Sequence, residues 1–153
     1  MNSYRDKALE KLRAAGLKIT KQRQLIVDLL METDKALSPY EMQSILKKRG
    51  VAADVVTIYR VLDLLEQLSL AHKVQAFNGY IRCQKNKSST CHHYLLCKNC
   101  HRVDEVEGDD LADIQQRIRR EHRFRIDSHY LEFIGLCSVC QKASPVQKAK
   151  GRT

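Results

Sequence analysis

Up to Leu68 the apolar positions of this chain recur in steps of three and four; beyond it short alternating runs take over, broken by one further helical stretch. Residues 4–15 predict a short helix around Leu9 and Leu12, stopped by Gly16. Thr20 is placed to cap a second helix carrying Leu25, Ile26, Leu29 and Leu30. Ser38-Pro-Tyr-Glu41 has the form of a capping box with proline in the first turn, so a third helix starts there, buries Met42, Ile45 and Leu46, and ends near Gly50. Asp54 caps a fourth, with Ile58, Val61, Leu62, Leu65 and Leu68 on its apolar side. Strands follow at 71–76 and 80–84, joined through Asn78-Gly79, a hairpin signal. Helices closed by a brief turn and then a hairpin describe a winged helix-turn-helix.

Residues 85–91 are polar and without period, which suits a hinge. Strands are expected at Tyr94–Leu96 and around Arg102–Val106, then a helix opened by Gly108-Asp-Asp with Leu111, Ile114 and Ile118 inward, then a strand over Ile126–Leu136. The tail, 141–153, has the composition of a disordered basic segment.

Charge adds a direction to this plan. The net charge is +9 over 153 residues, and residues 1–84 hold 14 Lys/Arg against 9 Asp/Glu, whereas residues 85–140 hold 9 of each. A basic front half fits a nucleic-acid partner. A recognition helix reads base edges with its first residues, which here are Thr57, Tyr59 and Arg60; Lys18 is placed to reach the backbone or a minor groove, with Lys21, Arg23, Lys47, Lys48 and Arg49 as further phosphate contacts. No run approaches a membrane span and the N-terminus lacks a signal-peptide core, so a cytoplasmic protein with reduced thiols is expected.

Reduced thiols make Cys97-Lys-Asn-Cys100 and Cys137-Ser-Val-Cys140 a candidate zinc site, because four thiolates on two tight turns satisfy a tetrahedral ion. Two disulfides or a redox pair are the competing readings of the same cysteines. No nucleophile–base pair and no phosphate-binding glycine loop stand out, so no enzyme and no small-molecule substrate are expected.

The motifs Leu-Lys-Ile-Thr-Lys-Gln-Arg (17–23), Thr-Ile-Tyr-Arg (57–60), Cys-His-His-Tyr-Leu-Leu-Cys-Lys-Asn-Cys (91–100) and Cys-Ser-Val-Cys (137–140) together resemble the ferric uptake regulator family over residues 1–140. The resemblance implies an α+β chain: a winged helix-turn-helix domain (1–84) followed by a small α/β dimerisation domain (92–140) with a four-cysteine structural zinc. It also implies a homodimeric, metal-responsive repressor of double-stranded DNA operators. Ala-His72-Lys-Val and the run ending at Cys83 are most similar to the zinc uptake regulator branch, which implies a regulatory zinc on His72, Cys83 and Glu105, and hence two zinc ions per chain. His92 is taken as the fourth ligand, with His93 and Cys91 open. Thiol and imidazole donors suit zinc, while iron prefers N and O in higher coordination. Lys35 and Tyr94 stand where many relatives have histidines. A third site near His93 and His129 lacks its helical carboxylate, which falls at Ala112 unless Asp113 or Asp109 substitutes. An iron- or peroxide-responsive regulator of the same family and a metal-independent DNA-binding module are the alternatives.

Overall fold

The caps written into the sequence set the first four helices. In the computed structural model of the chain, which describes residues 3–84, 92–107, 111–127 and 129–143, these are α1 (Tyr4–Ala14), α2 (Lys21–Met31), α3 (Pro39–Lys48) and α4 (Val55–Gln67). Ser38 Oγ accepts the Glu41 N–H at 3.2 Å while the Glu41 carboxylate takes the Ser38 N–H at 2.7 Å, the reciprocal box expected there. Asp54 accepts the Thr57 N–H at 2.8 Å and the Thr57 hydroxyl at 2.6 Å. Leu12, Ile26, Leu30, Met42, Leu62 and Leu65 are fully enclosed where the four helices meet. α1 is fastened to this core from outside, by Tyr4 Oη donating to the Leu70 carbonyl at 2.9 Å and by an Arg5–Asp28 ion pair at 2.7 Å.

β1 (Ala71–Val74) and β2 (Gly79–Arg82) form the wing, an antiparallel pair in the register His72↔Ile81. β1 is shorter than expected because residues 75–78 are spent on the turn, while β2 ends at Arg82, two residues before the expected end. Asn78 takes the left-handed conformation, with φ 46°, and donates its N–H to the Gln75 carbonyl at 3.1 Å. Gly79 serves a different need: a Cβ there would meet Ala36 Cβ at 3.1 Å and the Leu37 carbonyl carbon at 3.1 Å, so any larger residue would have to push back the segment that leads into α3.

The second sheet has the order β4-β3-β5, from β3 (His92–Cys97), β4 (Val103–Glu107) and β5 (Leu131–Gly135). β3 is antiparallel to β4 and parallel to β5, with α5 (Ala112–His122) on the crossover. The strand expected over 126–136 is confined to β5, because its register with β3 begins only at His93↔Leu131. The expected helix start at Gly108–Asp110 lies outside the described residues, as does the expected hinge at 85–91. A short helix, α6 (Ser138–Ala143), was not expected; the second cysteine knuckle is its first turn, with the Gln141 N–H on the Cys137 carbonyl at 2.9 Å. Residues 141–143, expected to be disordered, are therefore helical, and 144–153 lie outside the described residues.

Leu111, Ile114 and Ile118 were expected inward, but the single chain does not enclose them: Ile114 is 43% exposed and α5 buries no residue. Phe133 and Ile134 of β5 are more than half exposed as well. This apolar stripe and strand edge are left uncovered by the described residues. By contrast the wing and the sheet cover each other. Val74 and Ile81 of the wing pack with Tyr94, Leu96 and Val103 of the sheet in one apolar cluster, flanked by Ala36 and Phe77. No helix among the described residues is long and apolar enough to cross a membrane.

Candidate metal centres and nucleic-acid interface

Four sulfurs converge where the β3–β4 turn meets α6. Cys97 ends β3, Cys100 follows one turn later, and Cys137 and Cys140 come from the start of α6; one sulfur from each lies within 4.8 Å of all the others. The turn is held by the His101 N–H on the Cys97 carbonyl at 2.9 Å, with His101 itself left-handed at φ 61°. The Lys98 N–H reaches the Gly135 carbonyl at 2.9 Å and so ties this turn to the strand that delivers Cys137. All four cysteines are free thiols, and Cys100 Sγ and Cys137 Sγ stand 3.8 Å apart, far beyond a disulfide bond. Ligands at about 2.3 Å from a tetrahedral zinc are separated by about 3.8 Å, so the donor set fits that ion in chemistry and in spacing. Backbone N–H groups of Cys100 and then of Cys137 stabilise the Cys97 thiolate, holding its pKa down to about 6. The Asn99 amide, 3.3 Å from Cys140 Sγ, pulls that thiol the same way, but the adjoining thiols of Cys137, Cys97 and Cys100 and burial outweigh it and push Cys140 up to about 11.

A second donor cluster sits between wing and sheet. His72 of β1, Cys83 just past β2 and Glu105 of β4 bring one imidazole nitrogen, one sulfur and one carboxylate oxygen within 4.8 Å of one another. The Cys83 N–H is fixed on the Leu70 carbonyl at 2.9 Å, and the Gln84 N–H holds Glu105 Oε2 at 3.0 Å. Glu105 is only 9% exposed. The Tyr94 ring stands 5.9 Å from that of His72, and its buried hydroxyl has no hydrogen-bond partner among the described residues. Burial first, and then the charges of Glu105 and Cys83, push the Tyr94 phenol far above its ordinary range, so it stays neutral beside the cluster. An S, N, O donor set in a confined space suits four-coordinate zinc. The side chain of His92 and the whole of Cys91 lie outside the described residues.

His93 falls on the other side of β3. It is 4% exposed, and its ring lies 6.5 Å from that of His129, whose Nδ1 is 3.0 Å from Gln115 Nε2. Neither histidine joins a group of three metal donors among the described residues. Asp113 is exposed in the first turn of α5, and Asp109 lies outside the described residues.

The first two turns of α4 present Val56 and Arg60 to solvent, with Thr57 and Tyr59 half-buried. The Thr57 hydroxyl is committed to Asp54, so Thr57 braces the start of the helix. Lys18 is exposed, and its carbonyl accepts the Arg23 guanidinium. Arg49 is engaged with Glu32 through two hydrogen bonds at 3.1 and 2.6 Å, which removes it from the free cations. Two residues were missed from the sequence. Tyr40 projects from the second position of α3 beside a cleft of about 750 Å³ that also meets Lys47 and Asp54 at the start of α4. Arg82 donates to the carbonyls of Met31 at 2.8 Å and Thr33 at 2.9 Å and to Asp34 at 2.7 Å, closing the C-terminal end of α2 and tying it to the wing. The outward slot in the capping box signals Tyr40; nothing local signals Arg82.

The model of the ferric uptake regulator family matches residues 14–134. The ferric uptake regulation protein of Bacillus subtilis is 32% identical over 143 residues, covering 92% of this chain and 96% of that protein. Among solved structures, a zinc uptake regulator in complex with zinc and DNA superposes with a TM-score of 0.84 at 24% identity, covering 94% of this chain and 98% of that one. The holo form of XcZur gives 0.78 at 25% identity over 93% and 99%. The Helicobacter pylori ferric uptake regulator, described with three functional metal-binding sites, gives 0.57 at 25% identity over 92% and 95%.

Proposed function

The chain belongs to the ferric uptake regulator family, and from that premise we propose that it is a zinc-responsive repressor, occupying operators of zinc-uptake genes when its regulatory site is filled. It is a metal-responsive transcription regulator that binds DNA as a homodimer, built as a winged helix-turn-helix followed by a dimerisation domain. The zinc reading rests on one observation above the others: the donor cluster between wing and sheet contains a thiol, Cys83, beside His72 and Glu105. His92 is taken as the fourth ligand of that set, with His93 and Cys91 as the alternatives. Cys97, Cys100, Cys137 and Cys140 hold a second, structural zinc, giving two per chain. The domains divide at a hinge of 85–91, and the uncovered face of α5 and β5 is the dimer contact. The protein works in the cytoplasm, where its operators are.

In this scheme zinc supplies a strong bond to donors from both sides of the wing–sheet junction. His72 and Cys83 carry the wing, Glu105 carries the sheet, and their common tie fixes the orientation of α4 relative to the two-fold axis. Two recognition helices must meet half-sites about 34–36 Å apart, so a fixed orientation raises affinity. The competing reading, an iron-responsive repressor, draws on the curated relatives, which are named ferric uptake regulation proteins. Operator binding followed by fluorescence anisotropy, at fixed salt, across buffered free Zn²⁺ and anaerobic Fe²⁺ separates the two. Under the zinc reading affinity rises with zinc alone while the metal count climbs from one to two per chain; an equal response to iron, or none to either, defeats it.

Arg60, exposed on the first turns of α4, contacts the DNA together with Lys18 and Tyr59, while Thr57 orders the helix start. Arg60→Ala is expected to weaken operator binding by about 1–3 kcal/mol. Comparing operator with scrambled DNA at several salt concentrations tells base reading from phosphate contact: loss on the operator alone marks the former, equal loss on both with a shallower salt slope the latter.

A further inference from the structure

The wing is gripped by two carboxylates, and only one of them belongs to a metal cluster. Tyr94 pairs in register with Glu105 on β4 and with Glu132 on β5, so the three stand in a row across the sheet. Cross-strand neighbours share a face, and here that face meets the wing. Glu105 accepts the Gln84 N–H at 3.0 Å, just past β2. Glu132 accepts the N–H of Gln75 at 2.6 Å with one oxygen and that of Ala76 at 2.9 Å with the other, just past β1. One carboxylate thus anchors each strand end of the hairpin on the sheet side.

We propose that Glu132 is a positioning residue for DNA binding: a latch, independent of metal, that holds the wing on the dimerisation sheet and thereby sets how much metal the regulator needs. Hydrogen bonds to an ionised acceptor are roughly twice as strong as neutral ones, and two consecutive N–H groups in one carboxylate fix the turn in both position and direction. Beneath the latch, Val74 and Ile81 already share an apolar cluster with Tyr94 and Leu96. The docked arrangement therefore has sources of stability besides the His72–Cys83–Glu105 tie. A binding-competent state populated to a fraction f weakens apparent ligand affinity by 1/f. Removing the latch lowers f in the metal-free protein, moves the zinc midpoint, and leaves operator affinity at saturating zinc nearly unchanged. A variant that merely unfolds would lose affinity at saturation too.

The test uses the full-length dimer, wild type beside Glu132→Gln and Glu132→Ala, each with its zinc count and circular dichroism. Amide hydrogen exchange at Gln75 and Ala76 is expected to speed up about tenfold or more in Glu132→Ala and less in Glu132→Gln, in metal-free protein. The free-zinc midpoint for operator binding is expected to rise by a similar factor in the same order. Unchanged exchange at the two amides overturns the latch; faster exchange with an unmoved midpoint overturns its role in setting the response. The midpoint arm rests on the zinc reading. Should wild type itself ignore zinc, that reading fails separately, and the exchange rates with the operator affinity of the metal-free proteins, about tenfold weaker in Glu132→Ala, still decide the latch.

Discussion

Cys97→Ser protein is expected to lose one zinc per chain, to melt far below wild type and to dissociate from dimer to monomer or aggregate. Cys97 is 3% exposed and ends the central strand of the sheet, and its sulfur also accepts the Cys137 N–H at 3.4 Å. Its loss therefore unties the β3–β4 turn from α6 and from the end of β5 at once. Apparent binding energies of structural zinc run to about 10–16 kcal/mol in small peptides, against a total stability of about 5–15 kcal/mol for a typical domain. A site robbed of one of four thiolates cannot be compensated by the rest of this small sheet, whose enclosed apolar residues are few. Metal analysis, thermal melts and sedimentation check it. A variant that keeps its full zinc complement and its dimer would show that the four thiols are not a structural centre.

Cys83→Ser is expected to do something different: to fold, dimerise and keep the four-cysteine zinc, yet to bind operator with the same affinity whether zinc is present or chelated. Couplings between two ligands of one protein are typically about 5–150-fold, and the variant should forfeit that factor at saturating zinc. Serine keeps the volume but offers a hydroxyl that does not ionise at neutral pH, so the cluster loses its soft donor while the fold does not lose its packing. The Cys83 N–H bond to the Leu70 carbonyl is a backbone contact and survives. Anisotropy titrations with parallel zinc counts check it, the count stopping at one per chain. A variant that retains the wild-type zinc midpoint would remove Cys83 from the site. By reciprocity, wild-type protein should also bind zinc more tightly once on its operator, by the same factor.

The helical half was legible because its instructions are local. Ser38, Glu41 and Asp54 bond within one turn of themselves, and the apolar spacing of α4 names the residues that become the core. The four thiols were legible for a similar reason, since each knuckle declares itself in four residues. The cluster at His72, Cys83 and Glu105 is assembled by register instead. Three residues scattered along the chain meet because β1 pairs with β2 and the wing packs on β4, and no stretch of sequence says so; the family resemblance supplied what the spacing could not. Arg82, Glu132 and the close approach of Gly79 to Ala36 and Leu37 depend on the same long-range packing and were not read. The helical second knuckle was missed because Cys-x-x-Cys fits a tight turn and a helical turn equally well. The inward assignment of Ile114 failed for another reason: periodicity finds the apolar face of a helix but not whether the cover comes from the same chain.

That last face carries a genetic consequence. Under the proposed dimer contact of α5 and β5, to which neither His72 nor Cys83 belongs, a chain blinded to metal keeps its means of assembly. Produced alongside the normal chain, it would enter mixed dimers, each with one responsive and one unresponsive half, and an operator that needs two correctly set recognition helices would be poorly held by them. Alleles that destroy the regulatory cluster should then behave as dominant negatives, while alleles that destroy the four-cysteine centre, and with it the surface for pairing, should be recessive.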